Sequence, residues 1–259
     1  MKRQDKIKQI RLNLKNGTPS IGTWQQIPNA SISEILGDAG YDWVAVDLEH
    51  GSMNTFQLPD LFRAIELGET LPLARIAESK PRDCKQALDA GAGGIIAPMI
   101  DNADQLKMVR NACCWPPVGT RGVGFSRANL FGKYFDSYKE EAQYPLLVAQ
   151  IEHINAVNNL DEILRVDGLD AIIVGPYDLS ASMGITAEFE NREFINIMGK
   201  IKKLCDEANI SCGEHIVYPK PAILKKRISE GYRFIAYSID AVFLMQELNN
   251  PLLKKEDIH

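Results

Sequence analysis

Apolar, β-rich segments alternate with amphipathic segments along the whole chain. The apolar segments have the length of buried strands, and the segments between them have the hydrophobic spacing of helices. Eight strands are predicted, over residues 20–24, 43–48, 73–75, 94–98, 146–151, 171–174, 210–216 and 233–237. This alternation is typical of repeated βα units around a parallel sheet.

Seven helices are predicted between the strands, over residues 31–39, 59–67, 81–90, 103–111, 155–164, 192–208 and 221–229. Gly40, Gly91 and Gly231 follow three of them, where a left-handed residue commonly ends a helix. The length of 259 residues matches one α/β barrel, which needs roughly 250. We therefore predict an α/β fold, a single-domain (β/α)8 TIM barrel over residues 1–259, with an N-terminal helix or arm over residues 1–17.

One interruption of this pattern, over residues 115–144, is long and rich in glycine, proline and aromatic residues. Long segments of this kind in compact domains are usually functional. We expect it to be either a lid or an oligomer contact.

Composition excludes several classes of protein. The hydrophobic fraction of 45% and the charged fraction of 24% are close to globular averages, and the net charge is −5 without a basic block, so nucleic acid is not an expected partner. No signal peptide and no membrane span are visible, which predicts a cytoplasmic protein without membrane contact. The five cysteines lack metal-ligand spacing, so we expect buried structural thiols.

Chemically active side chains follow three of the predicted strands. Asp47, Glu49 and His50 come directly after the second strand, Glu152 follows the fifth, and Asp178 follows the sixth. Barrel enzymes build their active sites from residues at the carboxyl ends of parallel strands. The sequence therefore predicts an active site at this rim.

Each candidate has an alternative role. Glu152 and Asp178 are hard oxygen ligands suited to a magnesium- or manganese-type ion, but either acid can instead cap the following helix. His50 is a candidate general base or a hydrogen-bonded structural histidine. Asp89 can orient His50 if the fold brings the two together.

Two further features are suited to binding an anionic substrate. Arg75 ends the third strand, where it would grip a carboxylate in a bidentate manner or form a surface ion pair. Gly175 and Pro176 precede Asp178 and can expose backbone amides at a helix start. No P-loop or dinucleotide-binding glycine motif is present, so no nucleotide cofactor is expected.

Six ordered motifs together resemble the HpcH/HpaI aldolase family over residues 18–248. They are Asp47-Leu48-Glu49-His50-Gly51, Ala74-Arg75, Ala97-Pro98-Met99, Pro116-Pro117-Val118-Gly119-Thr120-Arg121-Gly122, Gln150-Ile151-Glu152 and Gly175-Pro176-Tyr177-Asp178-Leu179-Ser180. The resemblance implies a metal-dependent class II aldolase, a carbon–carbon lyase that reversibly cleaves a 4-hydroxy-2-oxo acid to pyruvate and an aldehyde through a metal-stabilised pyruvate enolate.

The same resemblance implies a role for each matched residue. Glu152 and Asp178 would bind a divalent cation (Mg²⁺, Mn²⁺ or Co²⁺) that chelates pyruvate, and Arg75 would hold the pyruvyl oxygens. His50, supported by Asp89, would move the proton that starts cleavage.

Four further positions match residues that line the substrate site in the family. Asp47 and Gln150 are expected on its wall, while the backbone near Gly175 and Pro176 is expected to receive the substrate carboxylate. A class I aldolase needs a desolvated lysine for a Schiff base, and no lysine ends a predicted core strand.

The resemblance also implies a homo-oligomer, commonly a hexamer built as a trimer of dimers that exchange a C-terminal helix. Residues 240–248 would form that helix. Leu244, Met245 and Leu248 have helical spacing and would form its apolar face.

The chain departs from the family on the seventh strand. Many members have a Gly-Ile-Leu type segment where this chain has Gly213-Glu214-His215 followed by Ile216-Val217-Tyr218-Pro219. The simpler interpretation is family variation with outward-facing side chains. The alternative is a changed pocket for the aldehyde.

The substrate candidates are 4-hydroxy-2-oxoheptanedioate and 2-keto-3-deoxy sugar acids. A second enzyme hypothesis uses the same enolate for decarboxylation of oxaloacetate or for a synthase step. A third is a non-catalytic barrel retained as a scaffold. The presence of a matching residue at every motif position favours an enzyme.

Overall fold

The computed structural model describes residues 3–248, in which eight parallel strands close a barrel in sequence order. The strands are β1 (Ser20–Gln25), β2 (Trp43–Asp47), β3 (Leu71–Arg75), β4 (Gly94–Ala97), β5 (Leu146–Ile151), β6 (Ala171–Val174), β7 (Ser211–Ile216) and β8 (Phe234–Ile239). All eight predicted strands are confirmed, with ends that differ by two residues at most, and the (β/α)8 fold is confirmed with them.

The strands are almost entirely buried because both faces of the sheet are covered. Side chains alternate between the barrel interior and the layer of helices outside, so β2, β3, β4, β5 and β6 are buried at every position. Strands covered on both faces need apolar residues on both, which is why they are continuous apolar runs in the sequence.

Helix α1 (Arg3–Lys15) closes the amino end of the barrel. Its apolar side chains join the interior cluster that includes Trp43 and Phe234, whose rings stack with centroids 4.6 Å apart. Gly22 on β1 leaves the space for Trp43, because a Cβ there would lie 2.0 Å from the indole. Trp43 thus fills the interior beside a strand position that has no side chain.

The remaining helices surround the barrel. They are α2 (Ala30–Asp38), α3 (Leu58–Leu67), α4 (Pro81–Ala90), α5 (Ala103–Cys113), α6 (Phe135–Gln143), α7 (Ile154–Asn158), α8 (Leu160–Leu164), α9 (Pro176–Ser182), α10 (Arg192–Ala208), α11 (Pro221–Ser229) and α12 (Asp240–Glu247). Gly40, Gly91 and Gly231 all have positive φ, as predicted for residues that end helices.

Two helical predictions were incomplete. The predicted helix over 155–164 is broken into α7 and α8 at Asn159, whose side-chain amide donates to the carbonyl of Asp101 at 2.9 Å. This long-range bond ties the junction between α7 and α8 to the residue that follows β4 and the turn after it. Helices α6 and α9 were not predicted, because glycine and proline obscure the helical pattern beside them.

The segment over residues 115–144 lies at the amino end of the barrel, since it connects α5 to the start of β5. Arg127 in this segment donates to the carbonyl of Ala90, the last residue of α4, and Ala128 accepts from Arg3 of α1. The predicted lid over the chain's own active site is therefore wrong, because that rim lies at the opposite end.

All five cysteines are free and buried, as expected for structural thiols, and burial contributes to the raised pKa of Cys114. No helix within residues 3–248 has both the length and the apolar character required to cross a bilayer.

Candidate active site

Arg75, at the carboxyl end of β3, is the centre of the predicted site. Its Nε and Nη2 donate to the two carboxylate oxygens of Asp47 on β2 at 2.9 and 2.6 Å, and its Nη1 lies 3.2 Å from Glu49. The guanidinium also lies 4.4 Å from the ring centroid of Trp24. The side chain is only 6% exposed, so these contacts fix one orientation of the guanidinium.

Asp47 is completely buried and lies beneath Arg75. Besides the two bonds from Arg75, its carboxylate accepts from the amides of Glu49 and His50 and from the side chain of Gln26. These bonds keep the pKa of Asp47 lowered although burial alone would raise it. Asp47 therefore holds Arg75 and shapes the turn after β2, and its predicted contact with substrate stays a prediction.

Glu152 follows β5 and is also buried, with 2% of its surface exposed. One carboxylate oxygen accepts from the side-chain amide of Gln150, and the other accepts from the backbone amide of Met99 at 3.0 Å. Gly175 makes room for this carboxylate, since a Cβ at that position would lie 2.7 Å from Oε1. Residues that follow β4 and β6, together with Gln150 on β5, thus position the carboxylate of Glu152.

The amide that binds Glu152 belongs to a residue with an unusual backbone. Met99 has a φ of 51°, which a residue with a long side chain seldom adopts. Conformations of this kind are held in place by their surroundings and concentrate at functional sites. Here the turn after β4 directs a backbone N–H at the carboxylate of Glu152.

Three carboxylates at the rim, those of Glu49, Glu152 and Asp178, act on one another electrostatically. Burial raises the pKa of Glu152 to about 7, and the negative charges of Glu49 and Asp178 add to the shift. Burial likewise raises the pKa of Glu49 to about 7, against the opposing effect of Arg75. Carboxylates held at raised pKa by burial and by one another are typical of catalytic and ion-binding sites.

The carboxylates fit a hard divalent cation. Asp178 is exposed and lies in the first turn of α9, close enough to raise the pKa of both Glu49 and Glu152. Within the described residues no three His, Cys, Asp or Glu side chains form a complete metal-binding group. Glu152 and Asp178 therefore suit an ion of the magnesium type, which keeps water or substrate oxygens as its other ligands.

Neither candidate ligand is a helix cap. The N-cap of α7 is His153, whose ring accepts from the amide of Asn155, and the N-cap of α9 is Gly175. The alternative roles of Glu152 and Asp178 as caps are thus wrong. Asp178 is exposed at the rim, whereas Glu152 is buried there with one hydrogen bond to each carboxylate oxygen.

The predicted anion site at Gly175 and Pro176 is only partly supported. The amide of Gly175 donates to the carbonyl of Ile151, and Pro176 has no N–H. The first-turn amides of α9 that remain belong to Tyr177 and Asp178, since a helix leaves its first amides without intrahelical partners. A carboxylate received here would bind those two amides.

His50 and Asp89 are not brought together within one chain. His50 lies in the turn after β2 at the carboxyl rim, exposed, with Nε2 3.9 Å from Glu49. Asp89 lies in the last turn of α4 and is 3.9 Å from Arg121. A helix that follows a barrel strand returns to the amino end, so Asp89 and His50 lie at opposite ends of the barrel.

The two side chains by which β7 departs from the family, Glu214 and His215, lie in different environments. Glu214 faces outward, where Arg227 of α11 binds it with 2.5 Å between Nε and Oε2. His215 faces the interior, where its ring packs against Trp24 with 5.6 Å between centroids. The interpretation that both side chains face outward is right for Glu214 and wrong for His215.

Three contributors to the site, Glu49, Trp24 and the backbone amide of Met99, carry no role in the predictions from the sequence. No role is predicted for Glu49 beyond its place in the Asp47-Leu48-Glu49-His50-Gly51 motif, although its position two residues after Asp47 and next to His50 gives a signal. Trp24 was placed on a strand without a functional role, and its contact with Arg75 depends on barrel closure. The Met99 amide gives no side-chain signal at all.

A closed parallel barrel with an arginine and clustered carboxylates at its carboxyl rim has the architecture of a TIM-barrel enzyme. The profile of the HpcH/HpaI aldolase/citrate lyase family matches residues 20–246. The chain belongs to this family, as its motifs predicted.

Similar proteins agree with this assignment. The hydroxypyruvate/pyruvate aldolase of Roseobacter denitrificans is 34% identical over 241 residues, which cover 91% of this chain and 92% of that protein. The 2-keto-3-deoxy-L-rhamnonate aldolase of Klebsiella pneumoniae subsp. pneumoniae is 34% identical over 246 residues, covering 94% and 91%. Both are named as aldolases, so the predicted enzyme class, aldehyde-lyase, is confirmed.

The fold likewise matches a solved structure of the family. A crystal structure of an HpcH/HpaI aldolase/citrate lyase family protein from Burkholderia cenocepacia superposes with a TM-score of 0.86 and 28% identity. The match covers 92% of this chain and 95% of that one.

The raised pKa of Glu152 makes the stability of the metal-free protein depend on pH. Its pKa is about 7 in the folded chain against an ordinary value of 4.5, so the folded state binds more protons than the unfolded state between these values. Stability is therefore lost as pH rises through this window. We expect Tm, measured in a chelator, to fall by a few degrees between about pH 5 and about pH 8.

Glu152→Gln is the variant that isolates this effect, because it keeps the shape of the side chain without the charge. The decline in Tm should be smaller in Glu152→Gln than in the wild type. Glu162→Gln, a change at an exposed position on α8, is the matched control and should retain the wild-type profile. Identical profiles for the wild type and Glu152→Gln would show that Glu152 does not titrate in this range.

Proposed function

We propose that the chain is a divalent-metal-dependent class II aldolase that reversibly cleaves a 4-hydroxy-2-oxo acid to pyruvate and an aldehyde. The observation that carries the proposal is the immobilised guanidinium of Arg75 beside the carboxylates of Glu49, Glu152 and Asp178. A 2-oxo acid presents a keto oxygen and a carboxylate to its binding site. An arginine and a cation held by acids are complementary to both groups.

Glu152 and Asp178 would hold the cation at the rim. When bound, a divalent ion polarises the 2-oxo group and stabilises negative charge on its oxygen. Gln150 and the Met99 amide fix the carboxylate of Glu152, so the ligand does not have to reorganise. Ordering of this kind is what gives metal sites their affinity.

Arg75 would bind the pyruvyl oxygens. Nε and one N–H of Nη2 donate to Asp47, and Nη1 lies beside Glu49. The other N–H groups of the guanidinium are the ones available to substrate. Developing charge on the enolate oxygen would be met by a guanidinium that is already oriented. The rigidity of Arg75 is therefore a part of its function.

His50 would accept the proton of the 4-hydroxyl group. As that proton leaves, the C3–C4 bond breaks, its electron pair forms the enolate of pyruvate, and the aldehyde departs. A proton returned to C3 completes pyruvate. His50 is exposed at the rim and has Glu49 at 3.9 Å, an arrangement that lets it exchange its proton with solvent.

The predicted support of His50 by Asp89 requires a second copy of the chain, because the two residues lie at opposite ends of one barrel. We propose a homo-oligomer, in keeping with the predicted hexamer, in which the amino end of one barrel faces the carboxyl rim of another. Leu244, Met245 and Leu248 on and beside α12 are 40%, 71% and 69% exposed, which supports exchange of this helix between subunits.

The scaffold hypothesis does not account for the rim. Burying Glu152 at a raised pKa costs free energy, and a barrel without chemistry would gain stability by losing that carboxylate. Oxaloacetate decarboxylation would use the same residues, so the substrate assay has to include oxaloacetate.

The function is tested by pyruvate release from 4-hydroxy-2-oxoheptanedioate, several 2-keto-3-deoxy sugar acids including 2-keto-3-deoxy-L-rhamnonate, and oxaloacetate. Pyruvate together with a stoichiometric aldehyde is expected from at least one hydroxy-oxo acid. Chelation should abolish release, and Mg²⁺, Mn²⁺ or Co²⁺ should restore it. Turnover of oxaloacetate alone would replace the aldolase with a decarboxylase, and turnover unaffected by chelation would contradict the metal site.

Arg75→Ala should lower kcat/KM for pyruvate release by more than about 100-fold, because it removes a preoriented charge at the reacting group. It also leaves Asp47 buried without its partner, so Arg75→Lys is needed beside it to keep the positive charge. Lys cannot form the bidentate pair, so we expect the activity of Arg75→Lys to be strongly reduced. Size-exclusion chromatography should show that the oligomer of this variant is intact.

Arg63→Ala is the matched control. Arg63 is an exposed arginine on α3 that pairs with Asp60, and its loss should leave turnover unchanged. Near-normal turnover in Arg75→Ala would refute the role assigned to Arg75.

A further inference from the structure

Gln26 lies at the carboxyl rim, directly after the last residue of β1. Two positions earlier, the indole of Trp24 belongs to the interior cluster of the barrel and lies against the guanidinium of Arg75. Side chains two residues apart along an extended strand point to the same side. Gln26 therefore points to the same side as Trp24, one step closer to the rim.

The side chain of Gln26 is held by the ion pair at the centre of the candidate site. Its Nε2 donates to Oδ2 of Asp47 at 2.8 Å, and Nη2 of Arg75 donates to the same oxygen at 2.6 Å. Two nitrogens bonded to one oxygen are neighbours, so the carboxamide of Gln26 lies beside Nη2. A substrate oxygen that binds to Arg75 at this nitrogen is next to the carboxamide.

The backbone of Gln26 is held as well. Its amide donates to Oδ1 of Asp240 at 2.9 Å, and the amide of Ile27 donates to Oδ2 of the same carboxylate at 2.8 Å. A Cβ at Gly51, in the turn after β2, would lie 3.6 Å from the Cα of Gln26, so this turn packs closely against the loop after β1. The entropy cost of ordering Gln26 is therefore met during folding, before a ligand binds.

The remaining atom of this carboxamide is a hydrogen-bond acceptor that a ligand can reach. The carboxylate of Asp47 has a lowered pKa and only accepts hydrogen bonds when ionised, so the nitrogen of Gln26 faces it and the oxygen does not. Gln26 is half-buried. Within residues 3–248 its Oε1 has no hydrogen-bond partner and is not enclosed. Oε1 is thus both oriented and accessible.

We propose, on the basis of the aldolase function above, that Gln26 is a specificity-determining residue whose Oε1 accepts a hydrogen bond from a hydroxyl group of the substrate that Arg75 holds. The other groups around this position differ from it, because Arg75 supplies donors and the three carboxylates of the rim carry negative charge. Carboxylate and keto oxygens of the substrate are acceptors and cannot bond to Oε1, whereas a hydroxyl group can.

The recognised hydroxyl has two possible sources, a hydroxylated 2-oxo acid and a hydroxylated aldehyde. The test is aldol addition by the metal-loaded enzyme with four pairs of reactants: pyruvate or hydroxypyruvate, each with acetaldehyde or glycolaldehyde. Gln26→Met keeps the length of the side chain without the carboxamide. It should lower kcat/KM about five- to tenfold for the reactant that bears the recognised hydroxyl. The matching reactant without that hydroxyl should change by less than about twofold.

The reactant that responds identifies the source of the hydroxyl. Gln9→Met is the matched control, because Gln9 is an exposed glutamine on α1 whose side chain bonds to Asn13. Its loss should leave kcat/KM unchanged for all four pairs.

A structural role for Gln26 has a different signature, because it would act through Asp47. A displaced Asp47 would disturb Arg75 and lower kcat/KM equally for all four pairs, since each pair contains a 2-oxo acid. In Gln26→Met, Asp47 retains both bonds from Arg75 and two from backbone amides, so Tm should fall by a few degrees at most. An equal loss for all four pairs would show that Gln26 is structural and would overturn the inference.

An unchanged preference in Gln26→Met would also overturn it, while leaving the aldolase function in place. Absence of product from the wild type with every pair would instead overturn the aldolase function, and the inference with it. The two failures are therefore distinguishable by the behaviour of the wild type.

Discussion

The buried ion pair of Asp47 and Arg75 is the interaction on which the rest of the site depends. Asp47 receives two bonds from the guanidinium and three more from Gln26 and the turn after β2, so one carboxylate orients the arginine and places Glu49 and His50. Removing one partner of a buried pair leaves an uncompensated charge. The β2–β3 register pairs Asp47 with Arg75 directly, so under the proposed function it is a functional constraint as well as a structural one.

The acids near Arg75 are arranged at a cost in the free energy of folding. Glu152 is buried beside two other carboxylates, and its ligand-binding geometry is maintained by Gln150, the strained backbone of Met99 and the missing side chain of Gly175. None of these features stabilises the barrel by itself. The proposed cation and anionic substrate, bound where the acids and the arginine meet, would account for their combination.

The fold could be predicted from the sequence because strands buried on both faces, such as β2 and β5, are continuous apolar runs. Arg75, Glu152 and Asp178 could be placed at the rim for the same reason, since each follows such a run. The side-chain contacts between different strands could not be predicted from the sequence. The shared indole of Trp24 and the inward direction of His215 depend on barrel closure, which spacing along the chain does not contain. The separation of His50 from Asp89 follows from the predicted order of strand and helix, because Asp89 ends the helix that returns to the amino end.

The central claim is that this rim stabilises the enolate of pyruvate. Exchange of the methyl protons of pyruvate in D2O, followed by NMR with Mg²⁺, tests it without knowledge of the aldehyde. We predict exchange by the wild type that stops on chelation and is lost in Glu152→Gln. Exchange that persists in the chelator, or that is equally fast in Glu152→Gln, would contradict it.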